Sequence, residues 1–573
     1  MRRDDRTQQS SVKRAFWFAA LAAILGLALL STPTAPVDST TTVVIVQGVD
    51  TASAADAVRG VGGSITHELG IIDAVAARLT AEQQQRLELL DGIGTFENRT
   101  AEVAAKPAPP TFYPSLIDAD RLHTEGITGE GIGVAFLDTG SETHTALNKN
   151  SFGAWRQIAQ YDAITDELLA SMDISSSESG VGTFATDEYG HGTHLASVAL
   201  SSSRTSARNG KFSGVAPDAY LVSVKAFDAT GSGTYADVIR GVDWIVTNKD
   251  SYAIRVLNCS FSAAPQSHYW EDPLNQAVMR AWDAGIVVVT SAGNGGPKPM
   301  TVGVPGNAPY VITVGAMTDN YTPEDGNDDV LANFSAAGPT YEGFVKPEIV
   351  APGGHILGLM QNGATLAQEH PEFFEGGNYF TMSGTSQAAA VVSGVALLML
   401  QADPTLTPDD VKCRLMASSR PAVDANGDLA YSVFQQGAGV VNAYDAVFNV
   451  ANECANQGLD LTLDLAGVQH FGGRANQAPD GTYYLMGLEG DAYLWGDAYL
   501  WGDAYLWSDA YLWGDAYLWG DAYLWSDGYT WYEGAVISEA YLWADGYLWG
   551  DAYLWSDALT TETMSVNTWV PQE

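Results

Sequence analysis

Ser386 lies in Ser383-Gly384-Thr385-Ser386-Gln387-Ala388-Ala389, a small-residue turn that runs into the apolar segment from Ala390 to Leu400. Val391, Val395, Leu398 and Met399 recur near the helical period, so the turn delivers the serine onto the first turn of a buried helix. There the hydroxyl is exposed, and the serine's own N–H is one of the unpaired donors that favour a developing oxyanion. Alone, such a triplet reads as a helix cap. Three upstream loops supply matching chemistry. Asp138-Thr139-Gly140 follows an apolar run and sets a carboxylate at a strand end, where capping a turn is the plain alternative. Gly190-His191-Gly192-Thr193-His194 opens a helical pattern, and its paired histidines have no Glu or Cys at zinc-site spacing. Ser291-Ala292-Gly293-Asn294-Gly295 brings an amide side chain to another strand end, by itself a turn signal. Together they provide a nucleophile, a base, an orienting carboxylate and a second oxyanion donor, in the chain order Asp, His, Asn, Ser. A nucleophile elbow of the α/β-hydrolase kind does not fit. It needs glycine where Ala388 stands, and its acid and histidine follow the serine.

The elements that must carry these loops are legible. Apolar runs at Gly133–Leu137, Tyr220–Val224, Val256–Cys259, Ile286–Thr290 and Val311–Val314 alternate with helical patterns. Those patterns are His191–Leu200, Tyr235–Thr247, Pro273–Ala284 and Ser386–Gln401. This alternation predicts an α/β fold, a parallel sheet with helices on both faces, with active groups at the carboxyl ends of the strands. Upstream, residues 40–100 read as strand, helix, strand, strand, helix, strand, the order of a small α+β sandwich. An Ala-, Lys- and Pro-rich linker follows at 101–110.

With four motifs in this order, the stretch of roughly 115–445 resembles the subtilisin-like serine proteases, or subtilases. Phe212-Ser-Gly-Val-Ala-Pro217, the Leu221–Lys225 strand, Phe334–Gly338 and Lys346–Gly353 look like further segments of that family. The resemblance implies that Ser386 attacks the scissile carbonyl, His191 carries the proton, Asp138 orients the imidazole and Asn294 completes the oxyanion hole. It also implies substrate binding by Ser260, Phe261, Ser262, Ala292 and Gly293. Phe261 and the lack of a buried acid favour an apolar or broad preference. Catalysis needs no cofactor, structural calcium is allowed with no ligands identified, and the 40–100 unit resembles the family's inhibitory propeptide. His194 is expected to be structural, and His144, His268 and His355 surface or packing residues. Gln387, Ala390 and Ser197 depart from the family's usual Met, Pro and Gly. Between Asp138 and His191 an acidic, Ser-rich stretch, Asp173–Glu188, reads as an exposed insertion.

The 573-residue chain has room for two or three domains. Its 68 acidic against 27 basic residues give a net charge of -41, which argues against nucleic acid as a partner. Basic residues Arg2, Arg3, Arg6, Lys13 and Arg14 precede an apolar run at 15–30 and then small residues, the pattern of a secretory signal within 1–36. That run is short against the about 20 residues of a spanning helix, so export is expected over a retained anchor. Of three cysteines, Cys413 and Cys454 can pair outside the cell, closing a loop of about 40 residues for roughly 3–4 kcal/mol. Cys259 reads as a buried free thiol.

From Gly490 the chain becomes a Gly/Ser-Asp-Ala-Tyr-Leu-Trp repeat. Six residues advance a helix by about 600°, or 240° net, so tryptophan would visit three sides instead of one. In a strand the even period keeps Asp, Tyr and Trp on one face. The readings left open are a structural spacer, a stacked β-repeat that touches a surface, glycan or sibling chain, and a substrate-like or processed tail. The expected layout is a signal at 1–36, an inhibitory propeptide at 40–100 and a linker with the activation cut at 101–114. A catalytic domain follows at 115–450, a linker at 451–489, β-rich repeats at 490–557 and a tail at 558–573. The expected function is a secreted serine endopeptidase acting on proteins or peptides, autoprocessed from a zymogen with its propeptide as inhibitor. The alternative is a catalytically weak surface protein whose repeat carries the function.

Overall fold

The computed structural model describes residues 41–486 and 563–570, apart from 91, 98–111, 173–180, 183–186, 206–209, 323–325, 327, 425 and 568. The expected signal, most of the activation linker and the hexapeptide repeats lie outside the described residues. The chain divides into two compact units, 1–106 and 107–573.

In the first unit, β1 (Thr41–Gln47), α1 (Thr51–Gly60), β2 (Ser64–Leu69), β3 (Ala74–Thr80), α2 (Ala81–Leu87) and β4 (Gly94–Glu97) follow the expected order. The four strands form one antiparallel sheet ordered β2-β3-β1-β4. Val44, Val46, Val58, Val75, Leu79 and Leu87 make its core. Both helices begin with capping boxes, at Asp50/Ser53 and Thr80/Gln83, which satisfy donors that an isolated helix end leaves unpaired.

The second unit is built on a largely parallel sheet. Its strands are β5 (Gly133–Asp138), β6 (Gln157–Asp162), β7 (Glu167–Ser171), β8 (Val181–Gly182), then β9 (Tyr220–Lys225). Two short strands, β10 (Ser232–Thr234) and β12 (Phe261–Ser262), lie outside it, with β11 (Ile254–Cys259) between them in the chain. Next come β13 (Val287–Ser291), β14 (Ile312–Thr318), β15 (Val330–Leu331) and β16 (Ile349–Pro352). The sheet order is β15-β14-β13-β11-β5-β9-β6-β7-β8, with β16 also on β14. The central pairs β14-β13, β13-β11, β11-β5, β5-β9 and β9-β6 are parallel. Such strands are covered on both faces, which is why β5, β13 and β14 are buried at every position.

Helices α3 (His191–Leu200), α4 (Tyr235–Asn248), α5 (Pro273–Asp283), α6 (Thr385–Ala402) and α7 (Pro408–Ser418) complete the layers. Thr234 caps α4, and Asp272 caps α5 with Pro273 in its first turn. α6 is apolar and long enough to cross a membrane by composition, yet it is buried through Leu400 as the central helix of the core. Its small residues let it touch α3 and the sheet together.

Residues 451–486, expected as linker, instead carry folded structure on this unit. Cys454 is disulfide-bonded to Cys413 of α7. A short helix, α8 (Leu461–Leu465), packs near α5, and its buried Asp464 accepts hydrogen bonds from Tyr269 Oη at 2.6 Å and Tyr310 Oη at 2.9 Å. A hairpin of Ala475–Gln477 and Tyr483–Leu485 follows. Cys259 is free and buried, as its apolar setting predicts. The C-terminal residues Thr563–Val566 form a last strand, β17, which lies antiparallel between β10 and β12.

Candidate active site

Each candidate side chain sits where a secondary-structure element ends or begins. Asp138 is the last residue of β5, His191 the first of α3, and Ser386 is on the first turn of α6. Asn294 follows β13. The structure therefore gathers residues spread over some 250 positions at the carboxyl edge of one parallel sheet, as the topology predicts.

Asp138 Oδ1 lies 2.8 Å from His191 Nδ1, with both side chains buried. The same oxygen accepts the Thr139 N–H at 2.8 Å, so the carboxylate is held from two sides. Gly192 makes the approach of α3 possible. A Cβ there would stand 2.2 Å from the Gly140 carbonyl oxygen. Any side chain would push the imidazole away from the acid.

Asp187 reinforces this junction, although the sequence reads it as part of an exposed insertion. It is buried, its Oδ1 accepts from Thr139 Oγ1 and the Gly190 N–H (both 2.8 Å), and its Oδ2 accepts from the Thr193 N–H at 2.8 Å and Thr193 Oγ1 at 2.7 Å. One carboxylate thus pins the Asp138 loop to the start of α3. Its only sequence signal is its position just before the Gly-His-Gly turn.

Asn294 Oδ1 accepts from the Thr385 N–H at 3.0 Å and Thr385 Oγ1 at 2.9 Å, which fixes the amide beside the start of α6. Thr385 Oγ1 also accepts the Gly293 N–H at 3.1 Å. Thr385 is therefore a positioning residue for Asn294. Ser386 Oγ donates to the Ser260 carbonyl at 3.1 Å and accepts from Asn567 Nδ2 at 2.8 Å.

His194 is structural in its contacts. It is fully buried, and Nε2 donates to the Phe380 carbonyl at 3.1 Å. Burial pulls its pKa down to about 3, so it is neutral throughout the range in which His191 would work. Gln387, the departure noted beside Ser386, is buried with Nε2 3.5 Å from His194 Nδ1 and lines the small cavity with His191, Asn294 and Ser386. Ser197 Oγ donates to the His194 carbonyl at 2.7 Å and accepts the Leu359 N–H at 2.7 Å. His144 accepts the Ala146 N–H, His268 stacks on Trp270, and buried His355 pairs with Asp319 at 2.7 Å while stacking on Tyr321.

The expected substrate-binding residues divide by what they present. Phe261 is buried against Phe227, at a ring distance of 5.0 Å, so what it offers is its backbone. Ser260 offers its carbonyl to Ser386, and Ser262 Oγ faces the space beside Gly293. Ala292 is buried behind it. For calcium, no group of three His, Cys, Asp or Glu among the described residues is arranged to hold a metal ion.

A parallel α/β sheet with a buried acid–imidazole pair and a helix-borne serine defines a class of serine hydrolases, those with the chain order Asp, His, Ser. The profile of the subtilase family matches residues 129–439. Serine protease AprX of Bacillus subtilis (strain 168) is 38% identical over 326 residues, 56% of this chain and 67% of its own. Subtilisin DY of Bacillus licheniformis is 29% identical over 57% of this chain and 94% of its own. Among solved structures, fervidolysin from Fervidobacterium pennivorans, a keratinolytic enzyme related to subtilisin, overlaps 72% of this chain and 62% of its own at a TM-score of 0.43 and 23% identity. The chain belongs to the subtilase family, on the strength of the sequence matches. It is a subtilisin-like serine peptidase acting on protein substrates.

Proposed function

We propose that this peptidase is a secreted endopeptidase, made as a zymogen and working through Asp138, His191 and Ser386. The observation that carries the reading is the 2.8 Å contact of buried Asp138 with His191 Nδ1, where His191 lines one cleft with Ser386 and Asn294. That contact fixes the imidazole tautomer with its proton on Nδ1 and leaves Nε2 as the base. Ser386 Oγ bonds to the scissile carbonyl carbon as its proton passes to His191 Nε2. Asn294 Nδ2 and the Ser386 N–H hold the oxyanion. The C–N bond then breaks, and the amine leaves with the proton from His191. Water attacks the acyl-enzyme, giving its proton to His191, and Ser386 regains its own as the acid departs. No cofactor takes part in these steps.

Substrate main chain would lie along the backbone of Ser260, Phe261 and Ser262, with a side chain beside Ser262, Ala292 and Gly293. The first unit, 40–100, would be the propeptide that assists folding and inhibits until a cut within 101–114. Residues 1–36 would direct export. The test is the mass of secreted wild type against Ser386→Ala. Wild type should lose everything before a cut within 101–114, and the alanine variant should stay full length or bound to the unit. Identical trimming of both would sink self-processing.

Removing the oxyanion donor gives a graded check. Asn294→Ala should lower kcat by about 10²–10³, roughly 2.7–4 kcal/mol, with KM little changed, a magnitude taken over from the equivalent loss in subtilisin itself. Steady-state kinetics on a chromogenic peptide read it. A rise in KM at unchanged kcat would assign Asn294 to ground-state binding instead.

A further inference from the structure

The strand that ends beside Ser386 belongs to this chain's own C-terminus. β17 pairs with both walls of a cleft at once. Ser232, Gly233 and Thr234 oppose Ser565, Met564 and Thr563 on one side, and Phe261 and Ser262 oppose Val566 and Ser565 on the other. The Val566 N–H donates to the Gly231 carbonyl at 3.0 Å. Gly231 has positive φ and closes tightly on the strand, since a Cβ there would meet Val566 Cγ2 at 3.0 Å. Met564 and Val566 are buried and Ser565 is exposed, the alternation of an added strand whose every second side chain fills a pocket.

Its end is chemically specific. Asn567 Nδ2 donates to Ser386 Oγ and to Ser291 Oγ, both at 2.8 Å, and Asn567 Oδ1 accepts from Ser262 Oγ at 2.7 Å. Three serines thus hold one amide. Beyond it, Trp569 stacks on His370 at 3.9 Å between ring centroids and packs against Phe373 and Phe380. In this arrangement the Ser386 hydroxyl donates its hydrogen bond to the Ser260 carbonyl at 3.1 Å.

We propose that residues 563–570 are an intramolecular inhibitor, a peptide-like strand that occupies the substrate cleft and withholds Ser386 from His191. The inference rests on the reading of Ser386 as nucleophile. Occupancy by the strand excludes a substrate that needs the same backbone edges of β10 and β12. For a tether that gives an effective concentration of order millimolar, a free-peptide affinity of about 0.1 mM leaves roughly a tenth of the sites open.

Two readouts on the propeptide-free enzyme test this, one independent of catalysis. In Ser386→Ala freed of its N-terminal unit by added protease, hydrogen exchange of the amides of residues 231–234 and 261–262 should be slowed relative to the same variant ended at residue 562. In the active enzyme, ending the chain at 562, or Met564→Asp with Val566→Asp in the full chain, should raise the initial rate on a short peptide about tenfold. Intact mass confirms that the full chain keeps its C-terminus during the assay. A synthetic peptide of residues 559–573 should then inhibit the shortened enzyme competitively. Equal rates and equal exchange in long and short chains would overturn the proposal. Exchange that differs while neither chain hydrolyses peptide would leave the seated strand standing and count against the catalytic reading of Ser386.

Discussion

Replacing His191 with alanine should lower kcat by about 10⁶, close to 8 kcal/mol of barrier, with KM on a short peptide nearly unchanged. The size is the one measured when the base is removed from subtilisin, the family's own type enzyme, and it is carried over from that enzyme. The physical reason is local. Without an imidazole, the Ser386 proton has only the Ser260 carbonyl to go to, and a backbone carbonyl does not accept a full proton. Asp138 would keep its hydrogen bond from the Thr139 N–H but lose the partner it is buried against. Because the three groups act as one unit, His191→Ala combined with Ser386→Ala should be no slower than either alone. Asp138→Asn should cost less, about 10⁴, because it keeps the geometry while reversing the tautomer. The variants must be freed of their N-terminal unit by added protease, since self-processing would fail too. Single-turnover kinetics, on chains ended at residue 562, would then report the chemical step. A loss smaller than about a hundredfold would mean that His191 is not the base.

Much of this site could be read from the chain because its parts are local signals joined by a regular topology. α3 begins and ends where the pattern places it, at His191 and Leu200, since Gly190 with positive φ breaks the chain before it. The strands before Asp138 and Asn294 are apolar runs that a covered parallel sheet requires. What escaped has little or no local signal. Asp187 lies among acidic and serine residues that look solvated, and only the meeting of the Asp138 loop with α3 buries it. The seat of Asn567 depends on contacts that reach back 305 residues to Ser262 and 181 to Ser386. Its partner strands, β10 and β12, are three and two residues long, too short for any periodicity to show. The hexapeptide repeats are the conspicuous pattern in that region. β17 comes after them, in a stretch whose alternation of Met564, Ser565 and Val566 is unremarkable until a cleft is found for it.

The second large effect concerns stability and lies away from the cleft. Glu348→Ala should destabilise the second unit by about 3–5 kcal/mol. Glu348 Oε1 stands 2.6 Å from Lys346 Nζ and 2.8 Å from Lys412 Nζ, and all three side chains are buried. Its other oxygen accepts the Thr313 N–H at 2.7 Å. One carboxylate therefore faces two ammonium groups and ties α7 to the sheet, while the backbone carbonyls of residues 309–311, Thr313 Oγ1 and Asn456 Oδ1 take further lysine donors. Removing it leaves two buried cations facing each other. Burial already pulls the Lys346 pKa down from 10.5 to about 7, with Glu348 pulling it back up. Losing Glu348 should drop it further, so Lys346 sheds its proton and relieves part of the penalty. The direction with pH follows from proton counts. A lysine whose folded pKa lies below its unfolded value binds fewer protons when folded, so stability rises with pH between the two. In the variant that rise starts at lower pH than in the parent. The difference in stability between the two proteins should therefore be larger at pH 5 than at pH 8, and level once the parent's Lys346 has also lost its proton. Urea unfolding of Ser386→Ala with and without Glu348→Ala, which avoids self-digestion, measures both quantities. A loss under about 1 kcal/mol at pH 5 would show that the neutral acceptors alone hold both lysines.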